Sequence, residues 1–221
     1  MSQRLTLFDL DNTLLAGDSD HAWGEFLISQ GLVDELQHRS ANDAFYQQYL
    51  DGILDIHAYV KFTLGPVLEY NAQERQNLQH KFMEQVVQTM ILDRGRKLVM
   101  QHKQAGDRCV LITATNAFIT APIAKELGFN TLLATDLKQK NDRLTGEIAG
   151  IPCYQYGKLD KLEQWLQNVN SAFNLKTACF YSDSINDLPL LRAVGNPVAV
   201  DPDKSLANHA RNSNWPIISL R

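Results

Sequence analysis

Cysteine is scarce in this 221-residue sequence, which contains Cys109, Cys153 and Cys179. The three residues form an odd set without a C-x-x-C spacing, a pattern that argues against both a disulfide framework and a structural zinc site. Cys109 and Cys179 lie inside apolar runs, where a free thiol is usually an inert core group. We therefore expect a reducing, cytoplasmic location.

An excess of basic charge and long hydrophobic runs are also missing. The 21 Lys and Arg residues and the 25 Asp and Glu residues give a formal net charge of −4. Neither nucleic acid nor an anionic membrane surface is therefore an expected partner. No stretch approaches the ~20 apolar residues of a membrane span, and residues 1–10 lack the features of a signal peptide. We expect a small-molecule partner and a monomer or homodimer.

Five short apolar runs predict the strands of an α/β sheet. They lie at residues 4–10, 109–113, 131–135, 177–182 and 197–200. Apolar runs without alternation are typical of parallel strands that are covered on both faces. Helical patterns separate the later runs, at about 93–104, 116–127, 159–169, 185–193 and 204–211. This alternation predicts a doubly wound, mainly parallel sheet.

One long segment after the first strand interrupts the alternation. It contains no strand-like run and reads as three or four amphipathic helices, separated by Gly31, Gly52 and Gly65–Pro66. We predict that residues 18–90 form a helical cap inserted into an α/β core made of residues 1–17 and 91–221. A hairpin or flap is expected over residues 137–149, with Asn141 and Asp142 at its centre.

Polar side chains cluster where the predicted strands end. The first, second and fourth strands and the helix before the fourth contribute Asp9, Asp11, Thr113, Lys158, Asp183 and Asp187. Because ligands bind outside the carboxyl ends of the strands in an open α/β sheet, these groups should converge on one crevice. Four carboxylates there would repel one another and protonate unless a cation were present. Oxygen ligands of this kind indicate Mg²⁺, which is completed by waters and substrate phosphate.

The same residue types can carry out phosphoryl transfer. A carboxylate can attack phosphorus and form an aspartyl-phosphate. A second carboxylate two residues later can protonate the leaving alkoxide and then activate water. Lys158 and Thr113 would hold the charge that develops on the equatorial oxygens.

Four segments resemble the motifs of the haloacid dehalogenase-like (HAD) superfamily. Asp9-Leu10-Asp11-Asn12-Thr13-Leu14 resembles its D-x-D-x-T-L signature. Thr113, Lys158 and Asp183-Ser184-Ile185-Asn186-Asp187 resemble its second, third and fourth motifs, in the same order. The insertion after motif one is similar to the helical cap of phosphoserine phosphatase-like members. The resemblance extends from residue 4 to about residue 200 and implies a Rossmann-like core with an inserted α-helical cap.

The resemblance implies a role for each matching residue. Asp9 resembles the nucleophile and Asp11 the general acid and base, while Thr113 and Lys158 resemble the pair that holds the phosphate. The implied magnesium ligands are Asp9, the backbone carbonyl of Asp11 and Asp183, with Asp187 in support. Dehalogenases of the family lack an acid at the position of Asp11, so a magnesium-dependent phosphatase is implied.

Three departures from the family pattern bear on the site and the substrate. The fourth motif usually begins with Gly, where this sequence has Ser182. Phosphoserine phosphatases hold the substrate amine with a glutamate, and the matching residue here is Asp18. They also use an arginine in the cap, yet none occurs between Arg39 and Arg75. We expect a small phosphorylated metabolite, either an amino acid or an amino alcohol such as histidinol phosphate.

The start of the cap and the strand ends supply further candidate substrate contacts. Asp18, His21 and Trp23 would face the crevice if the cap closes over it, with Trp23 as an apolar or cation–π wall. Alternatively, Asp18 caps the first cap helix and Trp23 packs in the core of the cap. Other expected contacts are Ala114, Asn116 and Asn186, although Asn116 could instead cap the next helix. The cap aromatics are interpreted as its core: Phe45, Tyr46, Tyr49, Tyr59 and Phe62.

Two other functions fit part of this pattern. A phosphotransferase or mutase would use the same aspartyl-phosphate with an acceptor other than water. A non-enzymatic phospho-acceptor, similar to a response-regulator receiver, also combines acids, Mg²⁺, Thr and Lys on a doubly wound sheet. In receivers, however, the phosphorylated Asp lies on a later strand and no long helical insertion follows the first strand.

Overall fold

The computed structural model describes residues 3–141, 143–169 and 173–221. Its strands are β1 (Leu5–Phe8), β2 (Arg108–Asn116), β3 (Leu132–Thr135), β4 (Leu137–Lys140), β5 (Arg143–Ile148), β6 (Cys179–Ser182), β7 (Asn196–Val200) and β8 (Ile217–Ile218). Six of them form a parallel sheet in the order β3-β2-β1-β6-β7-β8. β4 and β5 form the predicted hairpin, although Asp142 lies outside the described residues.

Helices cover the sheet and fill the segment between β1 and β2. The helices before β2 are α1 (Ser19–Ser29), α2 (Glu35–Leu50), α3 (Ile56–Leu64), α4 (Ala72–Phe82), a short α5 (Gln88–Met90) and α6 (Asp93–Gln104). Those after β2 are α7 (Ala117–Glu126), α8 (Tyr156–Asn168), α9 (Leu188–Ala193) and α10 (Lys204–Asn212). The predicted α/β class with a helical insertion is confirmed. No helix within the described ranges is both long and apolar enough to cross a membrane.

Apolar side chains on the two faces of the sheet belong to separate cores. Leu5 and Leu7 of β1 pack in one hydrophobic cluster with Phe180 of β6. Phe8 packs in the other cluster, which also contains residues of the inserted helices such as Trp23. Because consecutive residues of a strand point to opposite faces, a continuous apolar run is what a sheet with two buried faces requires.

The strand order places the start of the chain at the centre of the sheet. β1 lies between β2 and β6, and Phe8 is in register with Leu111 of β2 and Tyr181 of β6. The chain moves outward through β2 and β3, then returns to the other side of β1. The residues that follow β1, β2 and β6 therefore meet at the topological switch point, where open α/β sheets bind ligands.

The helices of the insertion begin at side chains that cap them. α1, α2, α3 and α4 each follow an Asp or Asn whose side chain accepts a backbone N–H of the first turn: Asp18, Asp34, Asp55 and Asn71. Such caps satisfy donors that the helix itself leaves free. The two ends of the insertion lie side by side, since Ala16 N donates to Met90 O at 2.7 Å. The division into cap and core stays a prediction.

A buried carboxylate joins the beginning of β1 to that of β2. Asp107 Oδ2 accepts hydrogen bonds from Arg4 Nη2 at 2.7 Å and Thr6 Oγ1 at 3.0 Å, and lies 2.7 Å from His102 Nδ1. Burial alone would raise the pKa of Asp107, but the hydrogen bonds from Arg4, His102 and Thr6 outweigh it and hold the pKa below its usual value. The folded state therefore favours the ionised carboxylate.

Asp107→Ala should lower the free energy of unfolding by about 2 kcal/mol at pH 7, because it leaves buried donors without their acceptor. A carboxyl group whose pKa is lower in the folded state stabilises that state at pH values above its unfolded-state pKa of about 3.9. This stabilisation is lost as the pH falls through the lower, folded-state pKa. The deficit measured by urea unfolding should therefore shrink below about pH 4. Glu163→Ala, at an exposed position, is the control. A deficit that grows in acid would contradict this account.

Candidate active site

Lys158 is the centre of the site. Its Nζ donates to Asp9 Oδ1 and to Asp187 Oδ2, each at 2.7 Å. The side chains are buried, with 2% of Lys158, 5% of Asp9 and 3% of Asp187 exposed to solvent. Three residues that are distant in sequence thus meet at the ends of β1 and β6, as the strand-end argument predicts.

A close backbone approach sets the position of Lys158. The preceding residue, Gly157, has no room for a side chain, because a Cβ there would lie 2.0 Å from Pro152 O. α8 begins at Tyr156, earlier than the predicted start at residue 159, so Lys158 lies in the first turn of the helix. The glycine lets this turn pack against the preceding loop and directs the lysine inward.

Thr13 links the ends of β1 and β6. Its Oγ1 lies 3.2 Å from Asp9 Oδ2 and 3.2 Å from Asp183 Oδ1, and accepts the backbone N–H of Asp183 at 3.0 Å. The turn that carries it includes Asn12 at φ 55°, a left-handed conformation that asparagine tolerates better than most residues. One hydroxyl therefore keeps the Asp9 and Asp183 carboxylates close together.

Asp11 is oriented by the first inserted helix and by β2. Ser19 N donates to its Oδ1 at 2.6 Å, and Thr115 Oγ1 donates to its Oδ2 at 2.8 Å. Asp11 is buried beside Asp9 in the same crevice. Both oxygens of Asp11 are therefore held by neutral donors, and none of the ion pairs of the described residues includes Asp11.

Ser182 has a specific partner where the family pattern has glycine. Its Oγ donates to Asp187 Oδ2 at 2.7 Å and accepts the backbone N–H of Ser184 at 3.2 Å. Asp187 thus has two donors, the Ser182 hydroxyl and the Lys158 ammonium. The serine that stands in place of the usual glycine therefore stabilises the loop of the fourth motif through two hydrogen bonds.

Burial dominates the ionisation of these acids. It raises the pKa of Asp11 to about 7, with a further contribution from Asp18, and raises the pKa of Asp187 to about 6 against the opposing effect of Lys158. The pKa values of Asp9 and Asp183 are raised for the same reason. Burial alone would lower the pKa of Lys158, but Asp187 and Asp9 raise it overall. The crevice therefore contains more carboxyl groups than Lys158 can pair with, and burial favours their protonated forms.

The donor set fits a divalent cation with few protein ligands. Among the described residues, no group of three or more His, Cys, Asp or Glu side chains forms a metal-binding cluster. Lys158 contacts both Asp9 and Asp187, and the Asp11 side chain is bound by Ser19 and Thr115. Thr13 Oγ1 joins the side chains of Asp9 and Asp183 and so brings two carboxylates to one place. Mg²⁺ suits such a site because it needs only one or two carboxylates.

A cavity lies between this crevice and the inserted helices. Its lining consists of Asp9, Asp11, Asp18, Asp20, Tyr46, Tyr49, Leu54, Ile56, Tyr59, Thr113, Ala114 and Thr115. Five of the predicted site residues are among them, and β2 reaches the cavity because it continues to Asn116 rather than ending at residue 113. Tyr46, Tyr49 and Tyr59 line the cavity from α2 and α3. Tyr59 also belongs to the hydrophobic cluster of the inserted helices and Tyr49 packs against it, as the core interpretation predicts.

Trp23 and His21 do not line this cavity. Trp23 is 1% exposed; its indole N–H donates to Thr63 O at 3.1 Å, and its ring packs against Phe82. His21 Nε2 of α1 lies 2.8 Å from Oδ1 of the exposed Asp43 of α2. These placements match the core interpretation of Trp23.

Asp18 and Asn116 both cap helices. Asp18 Oδ1 accepts the backbone N–H of His21 at 2.8 Å, as the capping interpretation predicts. Asp18 also lines the cavity, and its contact with a substrate stays a prediction. Asn116 Oδ1 accepts the backbone N–H of Ile119 at 3.3 Å, and its Nδ2 donates to Asp20 Oδ1 at 3.2 Å. Asn116 therefore contacts the cavity wall through Asp20 and does not line the cavity.

Asn186 joins the fourth-motif loop to the inserted helices. Its Nδ2 donates to Tyr49 O at 2.9 Å, and its Oδ1 accepts from Gln155 Nε2 at 3.3 Å. The same Gln155 amide donates to Gly52 O at 3.0 Å. Asn186 thus lies at the contact between α2 and the sheet edge, outside the cavity lining.

Several residues that shape the site have no role that the sequence analysis assigned to them. Thr115 and Ser182 orient Asp11 and Asp187, and both lie within two residues of a motif position. Their position as hydroxyl residues near the predicted strand ends could have indicated these roles. The role of Gln155 had no signal, because it depends on a contact with Gly52, 103 positions away in sequence.

The chain is similar to known proteins over its whole length. It is 40% identical over 221 residues to the histidinol-phosphatase of Neisseria meningitidis, covering 99% of this chain and 100% of that protein. It is 30% identical over 217 residues to a phosphoserine phosphatase of Mycobacterium tuberculosis, covering 97% and 70%. A crystal structure of a Bordetella pertussis protein of unknown function is 37% identical, covers 100% of both chains and has a TM-score of 0.92.

A more distant structure shows the same fold. The phospho-aspartyl intermediate analogue of phosphoserine phosphatase has a TM-score of 0.71 at 15% identity, over 100% of this chain and 95% of that one. The family profile of the haloacid dehalogenase-like hydrolases matches residues 6–192. These residues include all four motif segments and the helical insertion. The chain therefore belongs to the haloacid dehalogenase-like hydrolase family.

Proposed function

We propose that the protein is a magnesium-dependent phosphatase that hydrolyses a small phosphomonoester through an aspartyl-phosphate on Asp9. The observation that carries the proposal is the buried crevice in which Asp9 and Asp11 both line one cavity and Lys158 contacts Asp9. The two named relatives, a histidinol-phosphatase and a phosphoserine phosphatase, support phosphomonoester hydrolysis. Their names also support a small phosphorylated metabolite as the substrate.

In the first step an oxygen of the Asp9 carboxylate attacks phosphorus, and the bond between phosphorus and the ester oxygen breaks. The electron pair of that bond goes to the leaving oxygen, which takes a proton from Asp11. A pKa of about 7 lets Asp11 hold this proton near neutral pH. The contacts from Ser19 and Thr115 keep its carboxyl group in position.

In the second step a water attacks the phosphorus of the aspartyl-phosphate. Asp11, now ionised, takes the proton of the water, and the electron pair of the bond between phosphorus and the Asp9 oxygen returns to the carboxylate. The products are inorganic phosphate and the free enzyme, with Asp11 protonated again.

Lys158 and Thr113 would hold the phosphate oxygens. The Lys158 ammonium already lies against the nucleophile, where its charge can stabilise an equatorial oxygen. A magnesium ion, which is typical of the family, would be held by Asp9, the backbone carbonyl of Asp11 and Asp183, with Asp187 in support. When bound, it supplies positive charge that offsets the carboxylates and orients the phosphate.

Substrate choice is assigned to the helical cap, residues 18–90. Asp18 lines the cavity, and we propose it as a contact for a substrate amine. This supports either a phosphorylated amino acid or an amino alcohol phosphate such as histidinol phosphate. We also propose a cytoplasmic location, because all three cysteines are free and buried.

A panel of phosphomonoesters, assayed for phosphate release with and without Mg²⁺, tests the proposal. We expect Mg²⁺-dependent release that EDTA abolishes and added Mg²⁺ restores. Including an alcohol or sugar acceptor distinguishes a phosphotransferase, which would transfer phosphate to the acceptor in place of releasing it. Absence of hydrolysis of every ester would reject the proposed function.

Asp11→Asn should lower kcat by about 10²–10⁴-fold, because the amide cannot exchange the proton that both steps require. The loss should be smaller for p-nitrophenyl phosphate than for an alkyl phosphate, since nitrophenolate leaves without protonation. Steady-state kinetics with both esters measures the difference, and Glu163→Gln, on the exposed side of α8, is the control. Equal losses for the two esters would remove Asp11 from leaving-group protonation.

A further inference from the structure

Gln155 has a backbone conformation that glutamine rarely adopts. Its φ is 50° and its ψ is −118°, outside the left-handed helical region where most non-glycine residues of positive φ lie. Within the described part of the chain, the other such residues are all Asn or Asp, namely Asn12, Asn141, Asp201 and Asn214. Glycine would take the conformation at position 155 without steric cost. A strained residue persists only where its surroundings hold it, and such residues cluster at functional sites.

The side-chain amide of Gln155 connects three segments of the chain. Its Nε2 donates to Gly52 O at 3.0 Å, to Tyr154 Oη at 3.2 Å and to Asn186 Oδ1 at 3.3 Å. Asn186 in turn donates from Nδ2 to Tyr49 O at 2.9 Å. Gln155 directly precedes α8, Asn186 belongs to the fourth motif, and both carbonyl acceptors lie at or just after the end of α2. We call Gln155 and Asn186 the amide pair.

The two backbone carbonyls fix the orientation of both amides. Because a carbonyl oxygen only accepts, Tyr49 O requires the Nδ2 side of Asn186, and Gly52 O requires the Nε2 side of Gln155. Asn186 Oδ1 is then the side that faces Gln155 and accepts from it. The approach is close, since a Cβ at Gly52 would lie 3.3 Å from Asn186 Oδ1 and 3.8 Å from Gln155 Nε2. The contact is therefore specific to two amides and a glycine.

Both members of the amide pair adjoin residues of the active site. The backbone N–H of Lys158 donates to Gln155 O at 3.2 Å, so the strained residue begins the turn that carries the lysine. Asp187 follows Asn186 directly, and Lys158 Nζ contacts Asp187 Oδ2 at 2.7 Å. The third-motif and fourth-motif segments are thus joined twice, once through this ion pair and once through the amide pair.

The segment on the other side of the contact borders the cavity. Gly52 lies in residues 51–55, which connect α2 to α3 and which we call the α2–α3 loop. Tyr49 and Leu54, on either side of Gly52 in sequence, line the same cavity as Asp9. The hydrogen bonds of the amide pair therefore restrain the chain at a point between two cavity-lining side chains.

We propose that Gln155 is a positioning residue, which holds the α2–α3 loop against the third-motif and fourth-motif segments and so fixes this part of the cavity wall. The inference rests on the proposed function, because the cavity must accept the phosphomonoester. Glycine would relieve the backbone strain but would remove the amide, so the strain accompanies a contact that the side chain alone makes. Gln155 is not among the described residues that line the cavity. It therefore acts on substrate binding through Tyr49 and Leu54.

Two substitutions of Gln155 test this role. Gln155→Met removes the amide at nearly constant volume, and Gln155→Gly removes the amide and the strain together. Each should raise KM for p-nitrophenyl phosphate by about tenfold, the effect of one or two lost hydrogen bonds. A loss of binding alone leaves kcat within about threefold and the inhibition constant of inorganic phosphate within about twofold of the wild type. Gln164→Met, at an exposed position of α8, is the control and should keep the wild-type KM.

The same two variants separate positioning from stability. Gln155→Gly should melt at a higher temperature than Gln155→Met, because glycine adopts the conformation without strain. If Gln155 served stability alone, the more stable variant would also recover KM. We expect an equal increase of KM in both variants. Recovery of the wild-type KM in Gln155→Gly, or an unchanged KM in both, would overturn the inference.

Gly52→Ala tests the contact from the side of the α2–α3 loop. The new Cβ would press against Asn186 Oδ1, so KM for p-nitrophenyl phosphate should rise. Gly31→Ala is the matched control: Gly31 follows α1 at φ 68°, close to the 71° of Gly52, and a Cβ there would have no atom of the described residues within 4 Å. Both substitutions carry similar backbone strain, and only Gly52→Ala should raise KM. Equal KM values in the two variants would overturn the inference.

Hydrogen exchange separates failure of this inference from failure of the proposed function. The backbone amides of Gly52 and Ile53 donate to Tyr49 O and Gln48 O, and mass spectrometry of a peptide spanning residues 49–55 measures their exchange without substrate. Gln155→Met should speed this exchange by about tenfold, and Gln164→Met should not. Unchanged exchange together with hydrolysis of p-nitrophenyl phosphate would overturn the inference and keep the phosphatase. Absence of hydrolysis of every ester would reject the phosphatase, whatever the exchange rate.

Discussion

Asp9→Asn should reduce phosphate release by about 10⁴-fold or more for every phosphomonoester, because the amide cannot form the covalent intermediate. The change is isosteric, and the Asn oxygen can still accept from Lys158, so binding should persist while turnover stops. Phosphate release under saturating substrate, with Mg²⁺ present, measures the effect. A residual rate within tenfold of the wild type would contradict the assignment of Asp9 as nucleophile.

Folding must be separated from chemistry in this experiment. Asp9 lies in a crevice of mutually repelling carboxylates, and burial raises its pKa, so its ionised form is costly in the folded state. Removing the charge relieves repulsion with Asp11 and Asp183 and weakens one of two ion pairs of Lys158. We therefore expect a melting temperature close to that of the wild type. Glu163→Gln should keep both the melting temperature and kcat.

Lys158→Met should damage stability and catalysis together. It removes the only ammonium that contacts Asp9 and Asp187 among the described ion pairs and leaves two buried carboxylates facing each other. Losing one member of a buried ion pair costs about 3–5 kcal/mol of unfolding free energy. Loss of an electrostatic contact to the reacting phosphate should also lower kcat by about 10²–10³-fold.

The pH dependence of Lys158→Met gives a sharper test. Without the lysine, the pKa values of Asp9 and Asp187 should rise further above their unfolded-state values. A carboxyl group whose pKa is higher in the folded state than in the unfolded state stabilises the folded state at low pH. This stabilisation is lost as the pH rises through the folded-state pKa. The deficit relative to the wild type should therefore grow from pH 5 to pH 8, across the Asp187 value of about 6.

Two further variants distinguish charge from packing. Lys158→Met combined with Asp187→Asn should recover part of the lost stability without recovering activity, since the repulsion is relieved but the phosphate contact is not restored. Lys161→Met is the matched control: this lysine, one turn later in sequence, contacts Ala134 O and the exposed Asp136 outside the cavity. It should keep the wild-type kcat. Loss of kcat in Lys161→Met equal to that in Lys158→Met would contradict a specific role for Lys158.

The core of the fold was predictable because its signals are local. Apolar runs without alternation identified the buried strands, and the first and fourth motif segments follow the carboxyl ends of β1 and β6. The strand β8 was not predicted, because Ile217–Ile218 is two residues long and forms no recognisable run. The start of α8 at Tyr156 was also missed, since the close approach of Gly157 to Pro152 is a tertiary contact.

The insertion after β1 was predictable as helices but not in its packing. Periodicity shows which residues of a helix are apolar, but it does not show what covers them. Trp23 and Tyr59 are both buried aromatics of the cap; one packs against Phe82 and the other lines the cavity. The contacts of Gln155 with Gly52 and of Asn186 with Tyr49 likewise depend on the assembled fold.

Direct detection of the phosphorylated residue tests the central claim most directly. The enzyme is mixed with substrate and Mg²⁺ and quenched in acid within one turnover. The peptide that contains Asp9 is then analysed by mass spectrometry, with and without prior borohydride reduction. We predict one added phosphoryl group on Asp9, conversion of that residue to homoserine by borohydride, and no phosphoryl group in Asp9→Asn. Rapid phosphate release with no phosphorylated Asp9 at any quench time would contradict the account.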